Sequence, residues 1–391
     1  MVAAETRSDS LKKDKGASLS MLSYTNCALD PATGSGKTVW AYSEGMKQRG
    51  HAVDVAVPTD FTAAQKWRGA QKFRQAIGAW RHIKSKLAVK RYDVIEFYGD
   101  EFWLATSWLS KLKNRPLLVA HTNGLELLRH ERARESSEAL GRQSALHKMF
   151  TKLTHERFSH IAFAKADAFA ALCESDCNHV LKLGYYPPEK VALVPPGLDE
   201  EFLDRPLNQP QKVTRILFTG SWISRKGTDV IVKVMTQILQ EFPELYFDVF
   251  GNSGRTQQVL TDFPEALHAR ITVYPRIDNA ELAEKLSRCQ VFLFPTRYEG
   301  FGIATAEAMA CGNAVVTTAT GYGADLAAGE EALICPFEDA VAMTSSVRQL
   351  INDDALRVKI AGNGWKRSQA LRWDNALDVM EDCYITWAKG R

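Results

Sequence analysis

Val291-Phe292-Leu293-Phe294-Pro295, and shortly after it Tyr298-Glu299-Gly300-Phe301-Gly302-Ile303-Ala304-Thr305-Ala306-Glu307-Ala308-Met309-Ala310-Cys311-Gly312, is the stretch from which the architecture can be read. The apolar run reads as a buried strand, Gly-Phe-Gly as a turn, and the residues from Ile303 on as a helix. A loop at the carboxyl end of a strand that opens into a helix presents free backbone N–H groups and a positive dipole end to any anion in the crevice. Glu299 belongs to that loop and Glu307 lies one to two turns inside the helix. Two glutamates framing an anion cradle suit a ligand with both hydroxyls and phosphates, a sugar linked to a nucleotide.

Outward from this segment, strands alternate with helices, the pattern of parallel α/β layers. The first half offers strands at Leu19–Tyr24, Val53–Val57, Val94–Phe97, Leu117–His121, Phe169–Leu172 and Val191–Val194. The second offers Ile216–Thr219, Tyr246–Phe250, Ile271–Tyr274, Val291–Phe294, Val315–Thr318 and Leu333–Ile334. Helices are expected between them, for example over Thr228–Gln240 and Asn279–Arg288. The Pro-rich stretch from Pro195-Pro196-Gly197-Leu198-Asp199 to Pro210-Gln211 reads as a connection between two halves. From Ser368 to Lys389, Trp373, Leu377, Met380 and Trp387 recur at helix-compatible spacing.

The Glu299–Glu307 segment, with seven residues between the glutamates and Ala-Met-Ala-Cys-Gly after, resembles the signature of retaining glycosyltransferases of the GT-B fold, family 4. The resemblance implies two Rossmann-like domains facing a cleft. It places an N-terminal, acceptor-side domain over 19–200, a linker over 201–211 and a donor domain over 212–370. A last helix, 371–391, crosses back to the first domain. It implies that Glu299 reaches the donor sugar, that Glu307 binds the ribose, and that the backbone of Phe301, Gly302 and Ile303 meets sugar and diphosphate. In Phe218-Thr219-Gly220-Ser221-Trp222-Ile223-Ser224-Arg225-Lys226-Gly227, Lys226 matches the family lysine that holds the diphosphate. Ser221 stands where the family often has Arg, so one cation is missing, and Arg225 is the nearest replacement. Fixed cations aimed at a departing diphosphate stabilise the transition state. Gly34 falls at the family's glycine turn after the first strand, with Thr33 in place of its partner glycine. His121, ending a strand, matches the histidine near the reacting carbon. Ile277, in Tyr274-Pro275-Arg276-Ile277-Asp278, falls where backbone groups read the base edge. The loop carrying Arg129, His130, Arg132 and Arg134 is an acceptor-side surface.

Other motifs lead elsewhere. Gly36-Lys37-Thr38 looks like the end of a P-loop, but Pro31 stands where the leading glycine is required, and no Walker-B partner is found, so NTPase activity is not expected. Cys173, Cys177 and His179 lack a fourth ligand at useful spacing for zinc and read as a helix start. No two aspartates stand at i and i+2, so the Asp-x-Asp metal clamp of other glycosyltransferases is missing and no metal is expected.

Length and composition fit a large enzyme: 391 residues, 45 % hydrophobic and 24 % charged, are enough for two cores. No apolar run approaches the roughly 20 residues of a membrane span. Residues 1–18 are polar and of mixed charge, a disordered tail without a signal-peptide core. Seven scattered cysteines point to reduced thiols and the cytoplasm. The net charge of +3 hides an asymmetry: from Phe61 to Tyr92 nine Lys and Arg stand with no Asp or Glu, which leaves the rest of the chain at −6. Trp67, Phe73 and Trp80 are interleaved. Such a segment is either a solvated helix face or a surface for an anionic lipid leaflet or phosphate-bearing acceptor, at the inner face of a membrane. Nothing suggests a nucleic-acid module.

The expected activity is transfer of a hexose from a nucleotide diphosphate sugar, the donor substrate, to a hydroxyl of a lipid-linked or cell-surface glycan precursor, with no cofactor. A nucleotide-sugar epimerase and a non-catalytic sugar-nucleotide-binding protein are the alternatives on the same fold.

Overall fold

The structure is a computed structural model; it describes residues 18–30, 34–62, 71–125, 156–207, 212–251 and 256–390. The expected tail, and the side chains of Thr33, Lys66, Trp67, Arg68, Lys72, Arg129, His130, Arg132 and Arg134, lie outside the described residues.

Twelve strands form two parallel six-stranded sheets. The first comprises β1 (Ser20–Thr25), β2 (Ala52–Ala56), β3 (Val94–Tyr98), β4 (Leu117–His121), β5 (Ala168–Ala171) and β6 (Val191–Leu193), in spatial order β2-β1-β3-β4-β5-β6. The second comprises β7 (Arg215–Thr219), β8 (Tyr246–Phe250), β9 (Ile271–Val273), β10 (Val291–Phe294), β11 (Ala314–Thr318) and β12 (Leu333–Cys335), in order β12-β11-β10-β7-β8-β9. Every residue of β3, β4, β5, β10 and β11 is buried. Helices on both faces of a parallel sheet require this, and it is why these strands read as mostly apolar runs. All twelve expected strands are present, with ends displaced by at most a residue or two.

Strand order decides where chemistry can sit. In the second sheet the winding reverses between β7 and β10, which pair through Val291–Ile216 and Phe292–Leu217. A ligand crevice opens outside the carboxyl ends of strands at such a switch point. The loops after Thr219 and after Phe294 are therefore neighbours although more than seventy positions apart, and the two sequence segments singled out above meet there.

The C-terminal helix, Trp373–Lys389, buries Leu377, Met380, Tyr384 and Trp387 in the first sheet's core beside Val39, Tyr42 and Met46 of the Gly34–Gln48 helix. The approach is close enough that a Cβ on Gly45 would collide with Leu377. Arg49 reaches across to Asp378 (2.6 Å) and Glu381 (2.9 Å). Three large apolar side chains here stabilise the docking by ~1.5–3 kcal/mol each. Between the sheets, the stretch expected as a linker opens with a helical turn, Glu200–Leu203, whose Phe202 and Leu203 are buried. The chain passes between the lobes twice, and the two passages pair at Leu198 and Arg372.

Candidate active site

A cavity of about 480 Å³ lies between the two lobes. From the C-terminal lobe it is lined by Thr219 to Ser221, Arg225, Lys226, Arg276, Ile277, Asn279 and the run Glu299–Ala304 with Glu307. Gly34, Ser35, Lys37, Thr38 and Asn123 line it from the N-terminal lobe.

Glu299 and Lys226 form the centre of the C-terminal wall. The Lys226 ammonium donates to Glu299 Oε1 at 2.7 Å, and the Thr296 hydroxyl donates to the same oxygen at 2.7 Å. Lys226 also stands over the Phe294 ring, 4.9 Å from its centroid. Burial pulls the Lys226 pKa down, and the attraction of Glu299 opposes that fall. Arg225 donates to the Tyr298 carbonyl at 2.9 Å and lies 3.7 Å from Glu299. The basic loop is short because Gly227, at φ 72°, turns the chain straight into the Thr228–Glu241 helix. Arg297 braces it: its N–H donates to the Arg225 carbonyl at 2.9 Å, and its guanidinium grips Asp229 through two bonds of 2.8 Å and Glu338 at 2.6 Å.

The Ile303–Ala310 helix begins at Gly302, whose φ of 87° is a left-handed conformation that favours glycine. Ile303 and Ala304, at its start, line the cavity beside Phe301, whose ring is buried against Tyr322 at 4.9 Å. Glu307, in the second turn of that helix, lines the cavity at only 9 % exposure, and no side chain among the described residues hydrogen-bonds its carboxylate. Burial pushes its pKa from 4.5 up to about 7; Lys37 counteracts and Asp199 adds to the rise. Lys37 belongs to the first turn of the Gly34–Gln48 helix, and its Nζ donates to Asp199 Oδ2 at 2.5 Å. Asn279 donates to the same carboxylate at 2.6 Å and the Trp373 indole at 3.3 Å. Asp199 thus joins both lobes and the C-terminal helix.

The lobes also touch on the opposite rim. A Cβ on Gly300 would overlap the Asn123 carbonyl oxygen, and one on Gly124 would meet Gly300 Cα at 2.7 Å. Asp325 of the C-terminal lobe accepts from the N–H groups of Glu174 (2.8 Å) and Ser175 (3.2 Å), the first turn of the Glu174–Lys182 helix. Cys173 precedes that helix, as expected of a helix start; among the described residues no group of three or more His, Cys, Asp or Glu side chains could hold a metal ion.

Nine residues expected at the site, Gly34, Arg225, Lys226, Ile277, Glu299, Phe301, Gly302, Ile303 and Glu307, line one cavity. His121 does not. Its ring is fully buried, stacked on Tyr98 with centroids 4.2 Å apart, and its Nε2 bonds the Tyr384 hydroxyl of the C-terminal helix. Glu96 lies 3.6 Å away. Successive strand side chains point to opposite faces, and in β4 His121 shares the face of Leu117 and Val119, which packs into the core; Asn123, in the loop beyond the strand, reaches the cavity instead. Gly34 is the first residue of a helix rather than part of a turn. Lys37, Asn123, Asp199 and Asn279 were not expected at the site. Lys37 and Asp199 did stand in motifs noticed in the sequence, in a P-loop-like end and near the start of a Pro-rich connection.

The described part of the basic segment, Gln71–Val89, is a helix. Arg81, Lys84, Lys90 and Arg91 are exposed. Its aromatics are not free edges: Phe73 packs on Phe158 (5.3 Å) and Trp80 on Trp108 (6.5 Å), with Lys84 4.9 Å over the Trp80 ring. No helix among the described residues is long and apolar enough to cross a membrane.

Residues 32–202 match the family pattern described as Glycosyltransferase Family 4, and residues 199–367 that described as Glycosyl transferases group 1. The chain is similar to the D-inositol 3-phosphate glycosyltransferase of Xylanimonas cellulosilytica, 26 % identical over 249 residues, 58 % of this chain and 59 % of that protein; the match therefore spans about three-fifths of that curated relative's length. Among solved structures, the sucrose-phosphate synthase of Thermosynechococcus elongatus superposes with a TM-score of 0.73 at 20 % identity, covering 95 % of this chain and all of that one. The Anabaena HepE protein in complex with UDP and glucose superposes with a TM-score of 0.62 at 14 % identity, covering 93 % and 98 %. These likenesses establish the GT-B fold.

Proposed function

The chain belongs to the family 4, group 1 glycosyltransferases, and on that premise we propose that it is a retaining, metal-independent enzyme moving a hexose from a nucleotide diphosphate sugar to a hydroxyl acceptor. The observation that carries the reading is the convergence, on one interlobe cavity, of Lys226 and Arg225, the starts of two helices and the carboxylates of Glu299 and Glu307. An anion held by cations and oriented N–H donors needs little reorganisation as charge develops on it.

In the proposed reaction the acceptor oxygen bonds to the anomeric carbon on the face the diphosphate leaves. The bond from that carbon to the phosphate oxygen breaks, its electron pair stays on the diphosphate, and the diphosphate takes the acceptor proton. Lys226, Arg225 and the Ile303–Ala310 helix start neutralise the leaving group. Glu299, fixed by Lys226 and Thr296, orients the sugar, and Glu307 accepts from the ribose hydroxyls. His121, tied to Tyr384, positions the β4 end that carries Asn123 to the cavity. Ile277 and Arg276 face the base. The acceptor is a lipid-linked or cell-surface glycan precursor, met in the cytoplasm at the inner face of a membrane, where the exposed cations of the Gln71–Val89 helix are attracted to anionic lipid. The relative named above puts an inositol phosphate in the acceptor panel.

Thermal shift with UDP-, GDP-, ADP- and TDP-sugars identifies the donor, because a ligand that binds only the folded state raises Tm. Incubation with that donor and the acceptor panel then tests transfer. Isomerised sugar without acceptor would indicate an epimerase, and tight binding without turnover on any acceptor a sensor.

A further inference from the structure

We propose that Lys37 is a diphosphate-binding residue, supplied to the donor by the N-terminal lobe and replacing the cation absent at Ser221; this deepens the nucleotide-sugar reading and rests on it. Ser221 lines the cavity with no charge, and Arg225, the nearest substitute on its own lobe, has 45 % of its side chain exposed and spends one N–H on the Tyr298 carbonyl. Lys37 differs in its burial. It lines the same cavity, its side chain is 11 % exposed, and it starts from the first turn of a fifteen-residue helix whose N-terminal residues Gly34 and Ser35 also form the wall. A Cβ at Gly34 would meet nothing within 4 Å, so the helix start opens on free space.

The contact with Asp199 does not exhaust Lys37. An ammonium carries three donors and no acceptor, and one reaches Asp199 Oδ2 at 2.5 Å. Asp199 is itself immobilised by Asn279 and Trp373, so the ion pair fixes the cation at the cavity wall. Glu307 lines the same cavity: it is nine-tenths buried, its carboxylate has no hydrogen bond from any described side chain, and it is close enough to Lys37 to feel its charge. A ligand placing hydroxyls against that carboxylate and phosphate against an adjacent cation completes both, as the ribose and the 5′-linked phosphate of a nucleotide do. The sequence Gly36-Lys37-Thr38, without the glycine a P-loop requires, thus does a phosphate-holding lysine's work from a helix start across the cleft.

The test is calorimetric binding of UDP, GDP and ADP to the full chain, carrying forward the tightest of the three together with its nucleoside. In Lys37→Met the diphosphate Kd rises about tenfold or more, while the nucleoside Kd stays within twofold. Asp199→Asn, which releases Lys37 and removes a competing negative charge, leaves diphosphate binding as tight as wild type or tighter. If Lys37 serves only to pin Asp199, the two variants weaken diphosphate and nucleoside alike and to the same extent, and the proposal is overturned. Equal diphosphate affinity in wild type and Lys37→Met overturns it as well, with the nucleotide-sugar reading intact. A wild-type chain that binds none of the three diphosphates overturns that reading and this proposal together.

Discussion

Glu307→Gln separates the stability of the empty cleft from its affinity for donor. Burial raises the Glu307 carboxyl from 4.5 to about 7. The folded value lies above the unfolded one, so the folded protein keeps a proton that the unfolded chain has released. The stabilisation from that proton is complete below pH 4.5 and is lost as pH climbs to about 7. At 1.36 kcal/mol per pH unit the loss is about 3 kcal/mol. Above pH 7 the empty cleft therefore holds an ionised carboxylate without hydrogen-bonded partners, and ribose hydroxyls are the groups that satisfy it. The ionised fraction rises from about a tenth at pH 6 to about nine-tenths at pH 8, so donor Kd falls roughly ninefold between them, the protonated form binding weakly. Calorimetry should use a sugar nucleotide, whose pyrophosphate diester has no proton to lose in this window. Glu307→Gln, uncharged throughout, flattens the profile and weakens binding at pH 8 by about tenfold, since hydrogen bonds to charged groups contribute about 1.5–3 kcal/mol. The same variant, ligand-free at pH 8, melts several degrees higher than wild type, as about 2–4 °C accompanies each kcal/mol in domains of 150–250 residues. A wild-type Kd that does not change between pH 6 and 8, or a variant that keeps the wild-type slope, refutes the argument.

Three further substitutions test other parts of the site. Lys226→Met, read by release of nucleoside diphosphate, lowers kcat by roughly 10²–10³, the range for removing one preorganised group facing developing charge; a loss under tenfold removes Lys226 from the leaving-group role. Gly300→Ala, whose methyl would overlap the Asn123 carbonyl, lowers activity at least a hundredfold with little change in Tm and an increased radius of gyration by small-angle scattering; wild-type activity would show that the loops need not touch. His121→Asn removes the ring's bond to the Tyr384 hydroxyl and its stacking on Tyr98 and costs about 1–3 kcal/mol of stability, seen as a lowered Tm with donor KM unchanged; wild-type melting with kcat down a thousandfold would return His121 to the reacting centre.

The fold was legible because parallel strands buried on both faces leave short, mostly apolar runs alternating with helical segments, as Val291–Phe294 illustrates. The C-terminal lobe's half of the site was legible for a local reason: Glu299, Gly302 and Glu307 belong to one strand–loop–helix unit, so spacing alone places them. The burial of His121 was not legible, because a strand's last residue faces either side of the sheet according to a parity that only packing settles, here against Tyr98 and Tyr384. The junction of Lys37, Asp199, Asn279 and Trp373 draws on positions up to 336 apart and exists only once both sheets and the returning helix are assembled. No local pattern announces such a meeting.

That junction and the opposite rim together set the energy scale of the cleft. On one side Asp199 ties Lys37 to Asn279, and on the other Asp325 caps the Glu174–Lys182 helix across the gap. A cap contributes about 1 kcal/mol and a partly exposed ion pair about as much, so these ties hold the empty lobes together by only a few kcal/mol. A bias of that size leaves an open form populated at the per cent level, enough to admit a donor into a cavity walled from both lobes. Once inside, a pyrophosphate touching Lys226 on one lobe and the Gly34 helix start on the other binds the closed form alone. Closure and donor binding are then one equilibrium, and Asp325→Asn, which loosens the rim without freeing or removing a ligand-facing cation, should weaken donor affinity by the same factor by which it depletes the closed form.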